Sequence, residues 1–355
     1  MDIASVPAVS IAVVEGGEVS WTRAVGFGNT DTKTAVDEQS VFAAASLGKP
    51  VFGYVVLRLV DEGKLSLDRP LVSYFRPDGL PSDPNVELVT AAHVLSHTTG
   101  FRNWRNRLDQ KLIPDFVPGA RFQYSGEGFF WLQQVVEAVT GQAVDRVMRD
   151  RLFGPAGMPR ASYGWSRDHD RWFVYGHGYR GGLANQFNRT SGNRMLAVAE
   201  RSGKPIAEWT TAEVFKAAAE VNPELPLLPN YVLPNVAGSL MCTAAEYGRF
   251  LTLLMGGRRP AAWEIRPASR DAILTPRVEL KPGLSWGLGW GLERHRSGNL
   301  FWHWGDNGAY KAFTVGDPAR RRAIAVFTNS EGGAKVYRPI VQAATGIDLG
   351  SFVWI

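Results

Sequence analysis

Apolar residues follow three distinct patterns along the chain. Val9–Val14 is a continuous apolar run, Glu15–Gly16–Gly17–Glu18 supplies turn residues, and Val19–Phe27 is a second run. That alternation of runs and turn predicts a β-hairpin. Phe42–Ala45 then leads into Leu47–Val60, which is apolar on every side. Such a segment predicts a buried helix, and Asp61–Glu62–Gly63 ends it. Near the C-terminus, Trp286–Leu292, Leu300–Trp304, Lys311–Gly316 and Ala323–Thr328 are short apolar runs separated by turn residues. They predict consecutive strands of an antiparallel sheet, with Arg320–Arg321–Arg322 at a hairpin tip and a helix over Gly333–Thr345 behind them.

The middle of the chain differs. Residues 71–235 are rich in Pro, Arg and Trp, with helical patches at Ala91–Ser96, Phe129–Thr140, Ala143–Leu152 and Thr211–Ala219 separated by long gaps. Thr243–Leu254 predicts a further helix, with Thr243 as N-cap and Glu246 three residues on. The expected architecture is α+β, an α/β sandwich. Strands from both chain ends (1–70 and 236–355) form one antiparallel sheet flanked by helices, and a mostly helical lobe (71–235) is inserted between them. The active site is expected in the cleft between the two.

With 355 residues, 45% hydrophobic and 21% charged, the chain is globular and large enough to fold without disulfides or metal. The single cysteine, Cys242, excludes an internal disulfide and a Cys-built zinc site. No apolar run reaches the roughly 18 residues of a membrane span. The net charge of +5 is spread along the chain. The basic cluster Arg102–Arg105–Arg107, interleaved with Phe101 and Trp104, reads as a solvated loop rather than a nucleic-acid surface. Met1–Val9 has no Lys or Arg, so no export signal is expected there; a cytoplasmic protein and a trimmed exported one both fit.

Several chemistries find no motif. There is no Walker A sequence and no H-E-x-x-H. Gly176–Gly178–Gly181 matches G-x-G-x-x-G but lacks the strand–turn–helix context of a dinucleotide site. His93 and His97 stand four apart without a neighbouring Glu, and read as capping or hydrogen-bonded structural residues. No cofactor or metal is expected.

The positive signal is Ser46–Leu47–Gly48–Lys49, an S-x-x-K pattern opening the buried helix. A spacing of three sets both side chains on one face. The helix N-terminus points free N–H groups at the serine, where an oxyanion could sit. Burial should lower the lysine pKa, letting it take the serine proton. The alternative is that Ser46 only caps the helix.

Further segments carry a family resemblance. Phe42–Lys49, His93–Gly100 (H-V-L-S-H-T-T-G), Pro118–Ser125 (P-G-A-R-F-Q-Y-S), Ala237–Leu240 with Thr243–Ala244, Gly287–Trp290 and His303–Trp304–Gly305 stand in the order of the serine β-lactamase and penicillin-binding-protein superfamily. The chain resembles its class C β-lactamase, family VIII carboxylesterase and D-amino-acid peptidase branch over nearly its whole length. The resemblance implies Ser46 as acylated nucleophile. It makes Lys49 the base, alone or with Tyr124, and Tyr124 the proton donor to the leaving group. The oxyanion hole would be the backbone N–H groups of Ser46 and Asp306, with Gly305 allowing close approach. Gly126, His303, Trp304 and Gly305 fall at the substrate-binding positions.

Two positions depart from the family pattern. Gly126 stands where Y-x-N has asparagine, and His303–Trp304 replace the lysine and threonine of K-T-G. Lys281–Pro282–Gly283 and Ser191–Gly192–Asn193 are set aside as a turn and a polar loop. The departures favour small esters over a β-lactam or D-peptide carrying a carboxylate. The partner expected is a small-molecule ester, amide or lactam. Acyl transfer to another acceptor, or a non-catalytic penicillin-binding sensor, are the competing readings.

Overall fold

The computed structural model describes every residue except 1–4, 108, 185, 222, 224–227, 257–259, 297 and 354–355, so the start of the Met1–Val9 stretch lies outside it. The N-terminal hairpin forms as β1 (Ala8–Glu15) and β2 (Glu18–Asn29), followed by the short β3 (Thr34–Ala35). Next come β4 (Phe42–Ala45) and the buried helix α1 (Gly48–Asp61). The helices that follow are α2 (Ala91–Leu95), α3 (Gly126–Thr140), α4 (Val144–Met148), α5 (Arg167–Trp172), α6 (Phe187–Ser202) and α7 (Thr211–Val221). The chain returns through β5 (Leu240–Cys242), α8 (Ala244–Thr252) and α9 (Pro267–Ile273). It ends in β6 (Val278–Lys281), β7 (Leu284–Trp286), β8 (Gly291–His295), β9 (Gly298–Asp306), β10 (Lys311–Asp317), β11 (Arg322–Thr328) and α10 (Tyr337–Thr345).

Strands from the two chain ends meet in the middle of one sheet, of order β3-β2-β1-β11-β10-β9-β8-β7-β6. Every neighbouring pair is antiparallel, and β1 joins β11 with Val9 opposite Thr328 and Val13 opposite Ile324. Residue alternation gives the sheet two faces. Ile324, Val326, Phe313, Val315, Leu300 and Trp302 pack with Tyr337 and Val341 of α10. The opposite face carries Ala8, Ala12, Ala312, Ala323 and Ala325, and belongs to the larger core with α1, α3 and α8. Small side chains there let α8 approach closely: a Cβ on Gly248 would lie 3.0 Å from that of Ala12. A second ribbon pairs β4 with β5, so the strand before Ser46 is held by one from beyond residue 235.

The expected fold class and most of the expected strands and helices are present, with specific exceptions. Thr243 and Glu246 form a reciprocal capping box on α8, as their spacing predicts. The run Trp286–Leu292 is two strands, not one. Gly287 and Gly289 turn the chain between β7 and β8; Gly289 has φ +86, and a side chain on Gly287 would strike the Ile273 carbonyl. Ser191–Gly192–Asn193 lies within α6, not in a loop: Gly192 packs against Trp165, whose indole N–H donates to Asn193 Oδ1 at 2.7 Å. Among the described residues, no helix is long and apolar enough to cross a membrane.

Candidate active site

Ser46 stands in the turn between β4 and α1, two residues before the first residue of the helix. The N-cap is Leu47, and no side chain caps it, so Ser46 is free of that structural role. The turn is held from several directions. Leu47 N–H donates to the Ala44 carbonyl at 3.0 Å, and Lys49 N–H to that of Ser46 at 3.0 Å. The hydroxyls of Tyr163 and Tyr247 donate to the carbonyls of Gly48 and Leu47 at 2.6 and 3.2 Å. Ala45 adopts φ 51, a left-handed conformation rare for a residue with a side chain. Strain of that kind persists only where the surroundings over-determine it, as they do here.

Lys49 Nζ lies 3.1 Å from Ser46 Oγ and donates to the Ala237 carbonyl at 2.6 Å. The lysine is buried, and among the described residues no acidic side chain pairs with it. Burial lowers its pKa to about 7. Near neutrality it therefore holds an appreciable fraction of free amine, directly beside the serine. Its Nζ also sits 4.7 Å from the centre of the Tyr124 ring. Among the described residues, the buried Tyr124 hydroxyl has no hydrogen-bond partner. Burial pushes its pKa well above the phenol range, and the nearby Ser46 hydroxyl offsets only part of that rise.

Two neutral histidines flank the tyrosine. His97 stacks on it at 4.1 Å between ring centres, and His303 lies 6.3 Å away. His97 accepts the Ser125 N–H at Nδ1, at 3.0 Å. His303 Nδ1 lies 2.7 Å from the Trp304 carbonyl, an acceptor, so Nδ1 carries the proton and Nε2 keeps its lone pair. Burial first, then the Lys49 charge, lowers the His303 pKa to about 3; the same causes, with His303 added, hold His97 well below its usual value. His93 takes part in the N-terminal capping of α2 with Thr90. Both members of the His93/His97 pair thus have structural partners.

The other predicted positions divide by strand geometry. Gly305 faces β4, and a side chain there would strike the Ala44 carbonyl. Asp306 and Lys311 are opposite residues, while Asn307 N–H donates to the Tyr310 carbonyl. Antiparallel pairs alternate between bonded and non-bonded, so the Asp306 N–H points away from β10. On that side β8 has already ended, its pairing with β9 stopping at Trp302. Trp304 falls on the α10 side of the sheet, 5.8 Å from Trp302 and 5.4 Å from Tyr124.

A cavity of about 420 Å³ opens over the serine. Ser46, Lys49 and Asp306 line it, whereas Tyr124, Gly126, His303, Trp304 and Gly305 do not. Its remaining wall includes residues that no sequence motif marks, among them Asn103, Trp104, Asn235, Asn307 and Tyr310. Asn307 Nδ2 donates to the Gly238 carbonyl at 2.8 Å, linking β9 to the segment before β5. These residues come from loops distant in sequence, and only the folded chain brings them together.

The fold coincides with that of known proteins. The Beta-lactamase family matches residues 1–346, and the chain belongs to that family. It is 32% identical over 182 residues to Esterase EstB of Burkholderia gladioli, covering 43% of this chain and 46% of that protein. It is 31% identical over 167 residues to Penicillin-binding protein 4 of Amycolatopsis lactamdurans, covering 43% and 44%. The chain thus spans less than half the length of either relative. The solved structure of the D-alanine carboxypeptidase AmpC from Burkholderia cenocepacia superposes with a TM-score of 0.72 at 17% identity, over 97% of this chain and 95% of that one. The fold is that of the β-lactamases and transpeptidases, a family of serine hydrolases that includes esterases, penicillin-binding proteins and carboxypeptidases.

Proposed function

We propose that the protein is a serine carboxylesterase that hydrolyses small esters through an acyl-enzyme on Ser46. The observation that carries the reading is the contact of 3.1 Å between Ser46 Oγ and a lysine whose pKa falls to about 7. In this reading Ser46 Oγ attacks the ester carbonyl carbon as its proton passes to the neutral Lys49 amine. The negative charge moves onto the carbonyl oxygen, which the N–H groups of Ser46 and Asp306 receive. The C–O bond to the alcohol breaks, and the departing oxygen takes a proton from Tyr124, which Lys49 reprotonates. Water then attacks the acyl carbon and gives its proton to the neutral Lys49 amine; the bond to Ser46 Oγ breaks, Oγ takes that proton back from Lys49, and the acid is released.

The raised Tyr124 pKa divides the labour between the two groups. A phenol held protonated cannot act as base near neutrality, so Lys49 is the base and Tyr124 the donor. Neutral His303 brings no cation toward a substrate carboxylate, which favours uncharged esters over β-lactams and D-peptides. The relationship to an esterase is consistent with that preference.

The test pairs p-nitrophenyl butyrate with nitrocefin, on the protein and on Ser46→Ala. Strong ester turnover, weak nitrocefin turnover, and loss of both in the variant are expected. A fluorophosphonate should add one equivalent of mass at Ser46. Ester turnover that survives Ser46→Ala overturns the mechanism.

A further inference from the structure

The loop from Arg102 to Arg105 is fastened to the start of α3. Gly126 N–H donates to the Asn103 carbonyl at 3.0 Å and to Asn103 Oδ1 at 2.8 Å, and Glu127 N–H donates to the same carbonyl at 3.0 Å. Ser125 Oγ donates to the Arg102 carbonyl at 3.1 Å. Arg105 closes the clamp with Nε and Nη2 on the two oxygens of buried Glu127, at 2.8 and 3.2 Å, and its N–H adds a third contact at 3.0 Å. Between these anchors the Trp104 ring lies over Gly126. A Cβ on residue 126 would overlap that ring, its Cε2 atom being only 2.6 Å away. Trp104 is half-buried against the main core, and it lines the cavity that holds Ser46 and Lys49.

We infer that Trp104 determines substrate selectivity, its indole filling the space above Gly126 and presenting an apolar wall to esters with an extended hydrocarbon portion. The inference rests on the Ser46 reading and deepens it by naming the substrate class. Gly126 and Trp104 work as a pair: any side chain at 126 has to displace the ring. The wall is also preorganised, because the residues on either side of Trp104 are bound to α3. Little loop ordering is left to occur when substrate enters. Contact with an indole face adds affinity in proportion to the apolar area that the substrate buries, so it separates long chains from short ones.

The experiment measures kcat/KM for p-nitrophenyl acetate and p-nitrophenyl hexanoate, and for ethyl and hexyl acetate, on the protein, Trp104→Ala, Trp104→Phe and Gly126→Ala. In Trp104→Ala the ratio of long to short substrate should fall by about tenfold in one of the two series. Most of that change should appear in KM. Gly126→Ala should move the same ratio in the same direction by pushing the ring aside, and Trp104→Phe should retain part of the preference. The series that responds shows whether the acyl or the alcohol portion meets the wall. Thermal unfolding of each variant identifies any that fails to fold; Gly126→Ala and Trp104→Phe keep the test decisive if Trp104→Ala does. Ratios unchanged within twofold in all folded variants overturn the inference. Ser46→Ala run alongside separates the two failures: turnover persisting there overturns the nucleophile reading, while turnover lost there with unmoved ratios overturns only the role of Trp104.

Discussion

Gly305 and the carbonyl of Ala44 are in backbone contact, with no room for a side chain between them. β9 therefore presses directly on the strand that delivers Ser46, and the distance from Ser46 to the end of β9 is set by main chain alone. Gly305→Ala should force the two apart. The expected cost is about 1–3 kcal/mol of stability, as for other overpacked positions. Ester turnover should fall far more than that destabilisation accounts for, since the Asp306 N–H moves with the strand. Chemical unfolding and steady-state kinetics on one preparation check both.

Lys49 is buried at a thermodynamic disadvantage. Its pKa is about 7 in the fold and near 10.5 when unfolded, so between those values the unfolded chain binds one more proton. From this group stability rises with pH across that window and is lowest below pH 7. Lys49→Met should therefore abolish turnover yet raise the melting temperature at pH 7, with the gain shrinking as pH approaches 10. Paired melting curves at several pH values would show it.

The same titration predicts the rate profile. In the proposed mechanism only the free amine accepts the Ser46 proton, so kcat/KM for a neutral ester should rise about tenfold per pH unit below 7 and level off above it. His303, with a pKa of about 3, should contribute no step in that range. A profile that falls between pH 6 and 8 would assign the base elsewhere.

Tyr124→Phe tests the division of the two proton transfers proposed for Lys49 and Tyr124. The ring stacked on His97 is kept, and only the hydroxyl is lost. Alkyl esters, whose alkoxide needs a proton to leave, should lose about 100-fold or more in kcat. p-Nitrophenyl esters, whose leaving group is stable as an anion, should lose less in acylation. Comparing ethyl butyrate with p-nitrophenyl butyrate reads the difference.

The Arg105–Glu127 pair is asymmetric: the Glu127 side chain is 2% exposed and that of Arg105 28%. Arg105→Ala leaves a carboxylate buried without its cation and should cost about 3 kcal/mol. Glu127→Ala leaves a guanidinium that can turn to water, and should cost less. Unfolding of both variants tests the order.

What the sequence revealed follows from how local each signal is. The hairpin, α1 and the capping box of α8 depend on neighbours within a few residues, and each appears where its pattern stands. Ser46 and Lys49 share one turn, so their relation is legible at a spacing of three. The edge strand β6 and the polar helix α6 were not foreseen. Val278–Lys281 is too short to show a clear period, and α6 has little apolar residue content to mark a face. Trp104 illustrates the deeper limit. It lies 22 residues from Gly126 in a stretch that reads as a basic, solvated loop, yet Arg102, Arg105 and Arg107 each pair with an acid, Asp115, Glu127 and Asp109. A missing side chain at 126 was visible in the sequence, and what occupies its place was not.

The pairing of β1 with β11 has a consequence for how the molecule is made. Val9 and its partner Thr328 stand about 319 residues apart, so the partner is synthesised long after Val9. Until then the β1–β2 hairpin has a bare edge, and the centre of the sheet cannot close. Contacts of such sequence separation slow folding and prolong the exposure of unpaired strands. A nascent chain stopped short of β11 should therefore need a chaperone to stay soluble, whatever the stability of the finished fold.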